Sequence, residues 1–79
     1  MKQKIYDAVM SGNSDYNINF SDLQNLIVDL GFEFKRQRGS HYVYSRKDIK
    51  EIINIQCDGS KAKGYEVRQL RNLIIKYNL

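Results

Sequence analysis

The 79-residue chain has no proline, one cysteine and one histidine. A single thiol excludes an intrachain disulfide, and no Cys/His set has the spacing of a zinc site. Cys57, in the run EIINIQC, reads as a strand residue acting as a small hydrophobe. Long apolar runs are missing too: none approaches the roughly 20 residues that cross a bilayer. The start, MKQKIYDAVMSG, is amphipathic, and Tyr6 and Asp7 interrupt any signal-peptide core. The expectation is a cytoplasmic protein with no membrane partner. No repeat or low-complexity tract divides the chain, so residues 1–79 read as one domain. A domain of that length buries only roughly 60% of its unfolded surface, and an apolar content of 42% excludes wholesale disorder.

The net charge of +4 is unevenly spread. Residues 1–30 set Lys2 and Lys4 against Asp7, Asp15, Asp22 and Asp29. Residues 31–50 reverse the balance, with Lys35, Arg36, Arg38, Arg46, Lys47 and Lys50 against Glu33 and Asp48. The last third is again basic on balance. A basic face of this kind favours a polyanion, and nucleic acid is the default class. The plainer explanation is an edge strand charged to discourage aggregation.

The order of elements follows from hydrophobic period. A first helix is expected over about residues 2–10, then SGNSDYN, residues 11–17, is a loop by composition. A second helix is expected to start at Ser21 as N-cap with Gln24 completing a capping box. Its buried stripe is Leu23, Leu26, Ile27 and Leu30, and Gly31 stands where a left-handed residue ends a helix. FEFKRQR places Phe32 and Phe34 on one face of a first strand, and HYVYSR is β-branched and aromatic. Gly39-Ser40 between them predicts a hairpin. After the turn at KDIK, Ile53, Ile55 and Cys57 alternate along a third strand. DGSKAKG is expected to be a loop. A last helix from about Tyr65 shares Val67, Leu70, Leu73, Ile74 and Tyr77 on one face. The fold class is therefore α+β, in the order α-α-β-β-β-α: a three-stranded antiparallel meander with helices on one face and the other face open. Alternation does not settle which side chains the open face carries, because a bulge near Gly39 would flip the register.

The chemistry concentrates in KRQRGSHYVYSRK, residues 35–47, where five lysines and arginines surround the only histidine. An imidazole takes up and returns a proton near neutral pH. Cleavage of RNA through its own 2′-hydroxyl needs a base for that hydroxyl, an acid for the leaving oxygen and cations for the phosphorane charge. His41 is the proton-transfer candidate. Lys35, Arg36, Arg38, Arg46 and Lys47 are the nearby cations, and Lys61 and Lys63 are further ones that the fold would have to bring in. Gly39 would allow close approach of a phosphate and Ser40 would donate to one. Tyr42 and Tyr44 read as cross-strand packing rather than base-stacking residues. GSKAKG lacks the Lys-Ser/Thr pair of a Walker A loop, and Asp48, Glu51 and Asp58 are too scattered for a magnesium site. The reading calls for no cofactor and no metal.

The motif Arg38-Gly39-Ser40-His41 directly after the first strand, followed by a lysine-bearing loop into a final helix with Arg68 and Arg71 and a short YNL tail, resembles the HicA family of bacterial toxins. The resemblance covers roughly residues 20–79, with residues 1–19 as an N-terminal helix and loop added to that core. It implies a fold like that of double-stranded RNA-binding domains. It also implies an mRNA interferase, the metal-independent endoribonuclease of a type II toxin–antitoxin system, with His41 as active-site residue and a HicB-like antitoxin as partner. Tyr42 stands where many members of the family carry a second histidine. The alternative is a non-catalytic RNA-binding module using the same basic face, and a third possibility is an interaction protein whose basic face meets an acidic partner.

Overall fold

A computed structural model describes residues 3–79 as α1 (Gln3–Ser11), α2 (Phe20–Asp29), β1 (Glu33–Arg38), β2 (His41–Arg46), β3 (Ile49–Asp58), β4 (Lys61–Ala62) and α3 (Gly64–Tyr77). The expected start of the first helix at residue 2 lies outside the described residues. The class is α+β as expected, but the sheet has four antiparallel strands in the order β1-β2-β3-β4. The extra strand comes from the segment expected to be a loop. Asp58 pairs with Lys61 across Gly59-Ser60, as Arg38 pairs with His41 across Gly39-Ser40. Both glycines have positive φ, +55° at Gly39 and +64° at Gly59, which a two-residue hairpin loop needs at its first position. The same Gly-Ser pair thus closes both hairpins.

Helix α2 begins two residues earlier than its sequence signal. Its N-cap is Asn19, and Phe20 is already helical and buried. Asn19 bridges to Lys61, and the Phe20 N–H donates to the Ser60 carbonyl at 2.9 Å, so contact with β4 sets the start in place of Ser21. Gln24 accordingly does not close a capping box; its Nε2 donates to the Tyr44 hydroxyl at 2.9 Å. The other end behaves as expected. The Gly31 N–H bonds to the Val28 carbonyl and the Phe32 N–H to that of Ile27, the paired bonds of a Schellman motif.

The core lies between the helices and one face of the sheet. Leu23, Leu26 and Ile27 of α2, its C-cap Leu30, and Val67, Leu70 and Ile74 of α3 meet Tyr44, Ile53, Ile55 and Ala62. Val9 of α1 is fully buried in the same cluster, and Ile18 joins it. Residues 3–19 are therefore part of the single core. Asp15 fastens them: Arg71 of α3 donates Nη1 to Oδ1 at 2.9 Å and Nη2 to Oδ2 at 3.2 Å, while Nη1 also reaches the Val9 carbonyl at 2.9 Å.

A bulge decides what the other face carries. In β1, Phe34 pairs with Tyr44 and Arg36 with Val43, leaving Lys35 as the extra residue. Strict alternation would place Phe34, Arg36 and Arg38 on one face. The bulge instead keeps Phe34 on the helix side and turns Arg36 and Arg38 to the face away from the helices. The shift occurs at Lys35 rather than beside Gly39. Phe34 is 52% exposed, because β1 is an edge strand beyond the helices, although its ring contacts Tyr42 and Tyr44. Phe32, in contrast, is in the core.

Candidate active site

Two transverse rows of side chains define the centre of the helix-free face. The strand pairing aligns Arg38, His41 and Gln56 in one row and Arg36, Val43 and Asn54 in the next. Arg36, Arg38, His41, Val43 and Asn54 together line a shallow cleft of about 480 Å³. Val43 forms its apolar floor and stays buried without belonging to the main core. Among the described residues neither Arg36 nor Arg38 enters an ion pair. Two guanidinium groups over an apolar floor present planar bidentate donors of the kind that suit phosphate oxygens.

His41 is exposed at the mouth of this cleft, immediately after the Gly39-Ser40 turn. Its Nδ1 lies 3.2 Å from Oδ1 of Asn54. With the amide oxygen as acceptor, Nδ1 carries the proton and Nε2 presents its lone pair. A histidine in that tautomer is set to accept a proton through Nε2.

Gln56 occupies the other flank of His41. Its Nε2 donates to Ser40 Oγ at 3.0 Å, and its Oε1 accepts from Lys63 Nζ at 3.0 Å. Lys63 offers only donors, so the amide orientation is fixed by chemistry. Beneath them Glu66, the third residue of α3, is 2% exposed. Its Oε2 accepts from the Gln56 N–H at 2.6 Å and its Oε1 from the Lys63 N–H at 3.3 Å. The second contact is half of a capping box. Burial pushes the Glu66 carboxyl up from its ordinary range, and the two backbone donors and the positive charge of Lys63 oppose that rise. Sequence reading missed Glu66 and Gln56. The one available signal was a glutamate three positions after the start of a helix.

The fold thus gathers His41, Arg36, Arg38, Gly39, Ser40 and Lys63 from the expected set, and sends the others elsewhere. Arg46 stands at the far end of β2, about 16 Å from His41 at roughly 3.3 Å per residue. Its Nη1 donates to the Leu30 carbonyl at 2.7 Å, and its Nε pairs with Asp48 at 2.8 Å. It caps the C-terminal end of α2, where a cation meets the negative end of the helix dipole. Lys47 follows it in the β2–β3 turn. Lys35 projects from the bulge and pairs with Glu33 at 3.0 Å, and Lys61 donates to Asn19 Oδ1 at 3.1 Å. Arg68 is exposed, whereas Arg71 is committed to Asp15. Among the described residues no helix is long and apolar enough to cross a membrane. No family model matches the chain significantly, and neither does any curated protein or solved structure.

Proposed function

We propose that the protein is a metal-independent endoribonuclease that cuts mRNA at the His41 cleft, the toxin of a HicA-type pair held in check in the cytoplasm by a HicB-like antitoxin. The observation that carries this reading is the convergence of three features. A histidine with Nδ1 engaged by Asn54 stands beside two arginines that enter no ion pair among the described residues, on the sheet face opposite the described helices. The Arg-Gly-Ser-His motif and a sheet backed by helices on one side, as in double-stranded RNA-binding domains, agree with it. In this mechanism Arg36 and Arg38 bind the scissile phosphate and offset the charge that grows on its oxygens. Nε2 of His41 withdraws the proton of the 2′-hydroxyl as its oxygen attacks phosphorus. A positively charged cleft on an open sheet also suits a long polyanion better than a small enclosed substrate.

The test is incubation of the purified chain with labelled mRNA in EDTA, beside His41→Ala. Removing a general acid/base costs about 10²- to 10⁴-fold in rate, so the variant should fail to cut while retaining the parent's circular dichroism. If neither protein cut RNA while both bound it, the protein would be a binding module. Binding would then weaken on changing Arg36 and Arg38 together and be indifferent to His41→Ala.

A further inference from the structure

Strand scission needs an acid as well as a base, and the reading above fills only one of these places. Resting on that reading, we propose that Lys63 is the second proton-transfer group, the acid that protonates the leaving 5′-oxygen, and that Gln56 is the residue that positions it.

The choice follows from the side chains that flank His41. Arg36 and Arg38 stabilise charge but do not release a proton, because a guanidinium stays protonated in proteins. Asn54, Gln56 and the aliphatic Ser40 hydroxyl, which accepts from Gln56, do not ionise at neutral pH. Lys63 is the remaining group able to give a proton. It reaches the site from the β4–α3 junction, and its Nζ is held 3.0 Å from the side-chain oxygen of Gln56, the cross-strand neighbour of His41. Arg38 lies on the opposite side of His41. A displacement at phosphorus proceeds with entering and leaving oxygens in line, so base and acid must approach from different directions. His41 on β2 and Lys63 beyond β3 do so for a phosphate seated over the Gln56 amide that separates them, with the Arg36 and Arg38 guanidinium groups on its His41 side. The main chains of Gln56 and Lys63 are also clamped together, since both N–H groups donate to the buried Glu66 carboxylate. An ammonium held by the cross-strand neighbour of a histidine is more constrained than a solvated surface lysine.

The step balances without a further reactant. The bond from the 2′-oxygen to phosphorus forms as the bond from phosphorus to the 5′-oxygen breaks. The 2′-hydroxyl proton passes to Nε2 of His41, and a proton from Nζ of Lys63 passes to the 5′-oxygen. The products are a 2′,3′-cyclic phosphate and a 5′-hydroxyl, and exchange with water resets both side chains.

The experiment compares single-turnover cleavage of an oligoribonucleotide with that of the same oligonucleotide carrying sulfur at the bridging 5′-position, where the thiolate leaves without a proton. Lys63→Ala should lose about 10²-fold or more on the oxygen substrate and come within a few-fold of the parent on the sulfur substrate. Lys63→Arg, which keeps the charge but withholds the proton, should show the same pattern. Gln56→Leu should fall between parent and Lys63→Ala on oxygen and recover on sulfur, whereas His41→Ala should fail on both. Equal losses of Lys63→Ala on the two substrates, or no loss on either, would overturn the assignment of Lys63 while leaving the ribonuclease reading intact. A parent that cut neither substrate would overturn both.

Discussion

Nδ1 of His41 and Oδ1 of Asn54 meet at 3.2 Å between neighbouring strands. The contact selects one tautomer of an exposed ring, and no other side chain of the cleft is placed to do so. In Asn54→Ala the Nδ1–H tautomer of His41 should lose its dominance, visible in the ¹⁵N shifts of the labelled imidazole. Folding stability should change by no more than about 0.5 kcal/mol, as for other surface substitutions. Unaltered ¹⁵N shifts in the variant would show that Asn54 does not govern the ring.

Asp15→Ala leaves the Arg71 guanidinium without its two-point acceptor in a largely buried position. Breaking a fully buried pair costs about 3–5 kcal/mol, and this pair retains some solvent, so a loss of about 1–3 kcal/mol is expected. At about 4–8 °C per kcal/mol for a domain of this size, thermal unfolding should shift down by at least several degrees. A calorimetric midpoint within a degree of the parent would mean that residues 3–19 are held by apolar packing and main-chain bonds without the Asp15 pair.

Glu51 accepts from Lys76 at 2.7 Å and from the Tyr77 hydroxyl. These two bonds, that to Lys76 foremost, pull its carboxyl down from 4.5 to about 2. A carboxyl whose folded value is depressed stabilises the fold above its unfolded value and loses that contribution as pH falls to the folded one. The stability it adds should therefore be complete above about pH 4.5 and disappear towards pH 2. Glu66 has the opposite sign: its raised value makes stability fall as pH rises above 4.5 through its folded value. Denaturant titrations of the parent and Glu51→Gln between pH 2 and 5 separate the two. Their stability difference should shrink as pH falls, and a constant difference would place the Glu51 bonds outside the linkage.

Deleting Lys35 removes the extra residue of the bulge. Phe34 opposite Tyr44 and Arg36 opposite Val43 then become consecutive pairs of a regular ladder. The arginines should keep their face, and cross-strand nuclear Overhauser contacts between Arg36 and Val43 should persist. Inserting a residue between Gln37 and Arg38 should instead displace Arg38 from His41 and weaken RNA binding.

The three long amphipathic or alternating segments were legible because each needs only local information. The leucine and isoleucine stripes of α2 and α3 and the Ile53-Ile55 alternation of β3 all reached the core. Strand β4 was overlooked although Gly59-Ser60 repeats the turn at Gly39-Ser40, because two residues between a turn and a helix leave no period to detect. The α2 start was misplaced for a related reason, since Asn19 is recruited by pairing with Lys61, 42 residues away. Of the cations, sequence proximity to His41 selected Arg46 and Lys47, which the strand carries away from it, and gave no hint of Gln56 or Glu66.

Sequence by itself determined the element types apart from β4, the buried stripes, the hairpin that presents His41 and the basic character of the surrounding segment, because these depend on residue type and spacing within one element. Only the tertiary structure decided which cations share a face with His41. The bulge at Lys35 in turn lets Phe34 face the helices while Arg36 and Arg38 keep the His41 face, since side chains alternate with a period of two and a single insertion exchanges the faces on either side of it. It also decided that Asn54 and Gln56 flank the histidine, because strand pairing makes neighbours of residues 13 and 15 positions away, and that Lys63 meets Gln56, and no local pattern encodes that register.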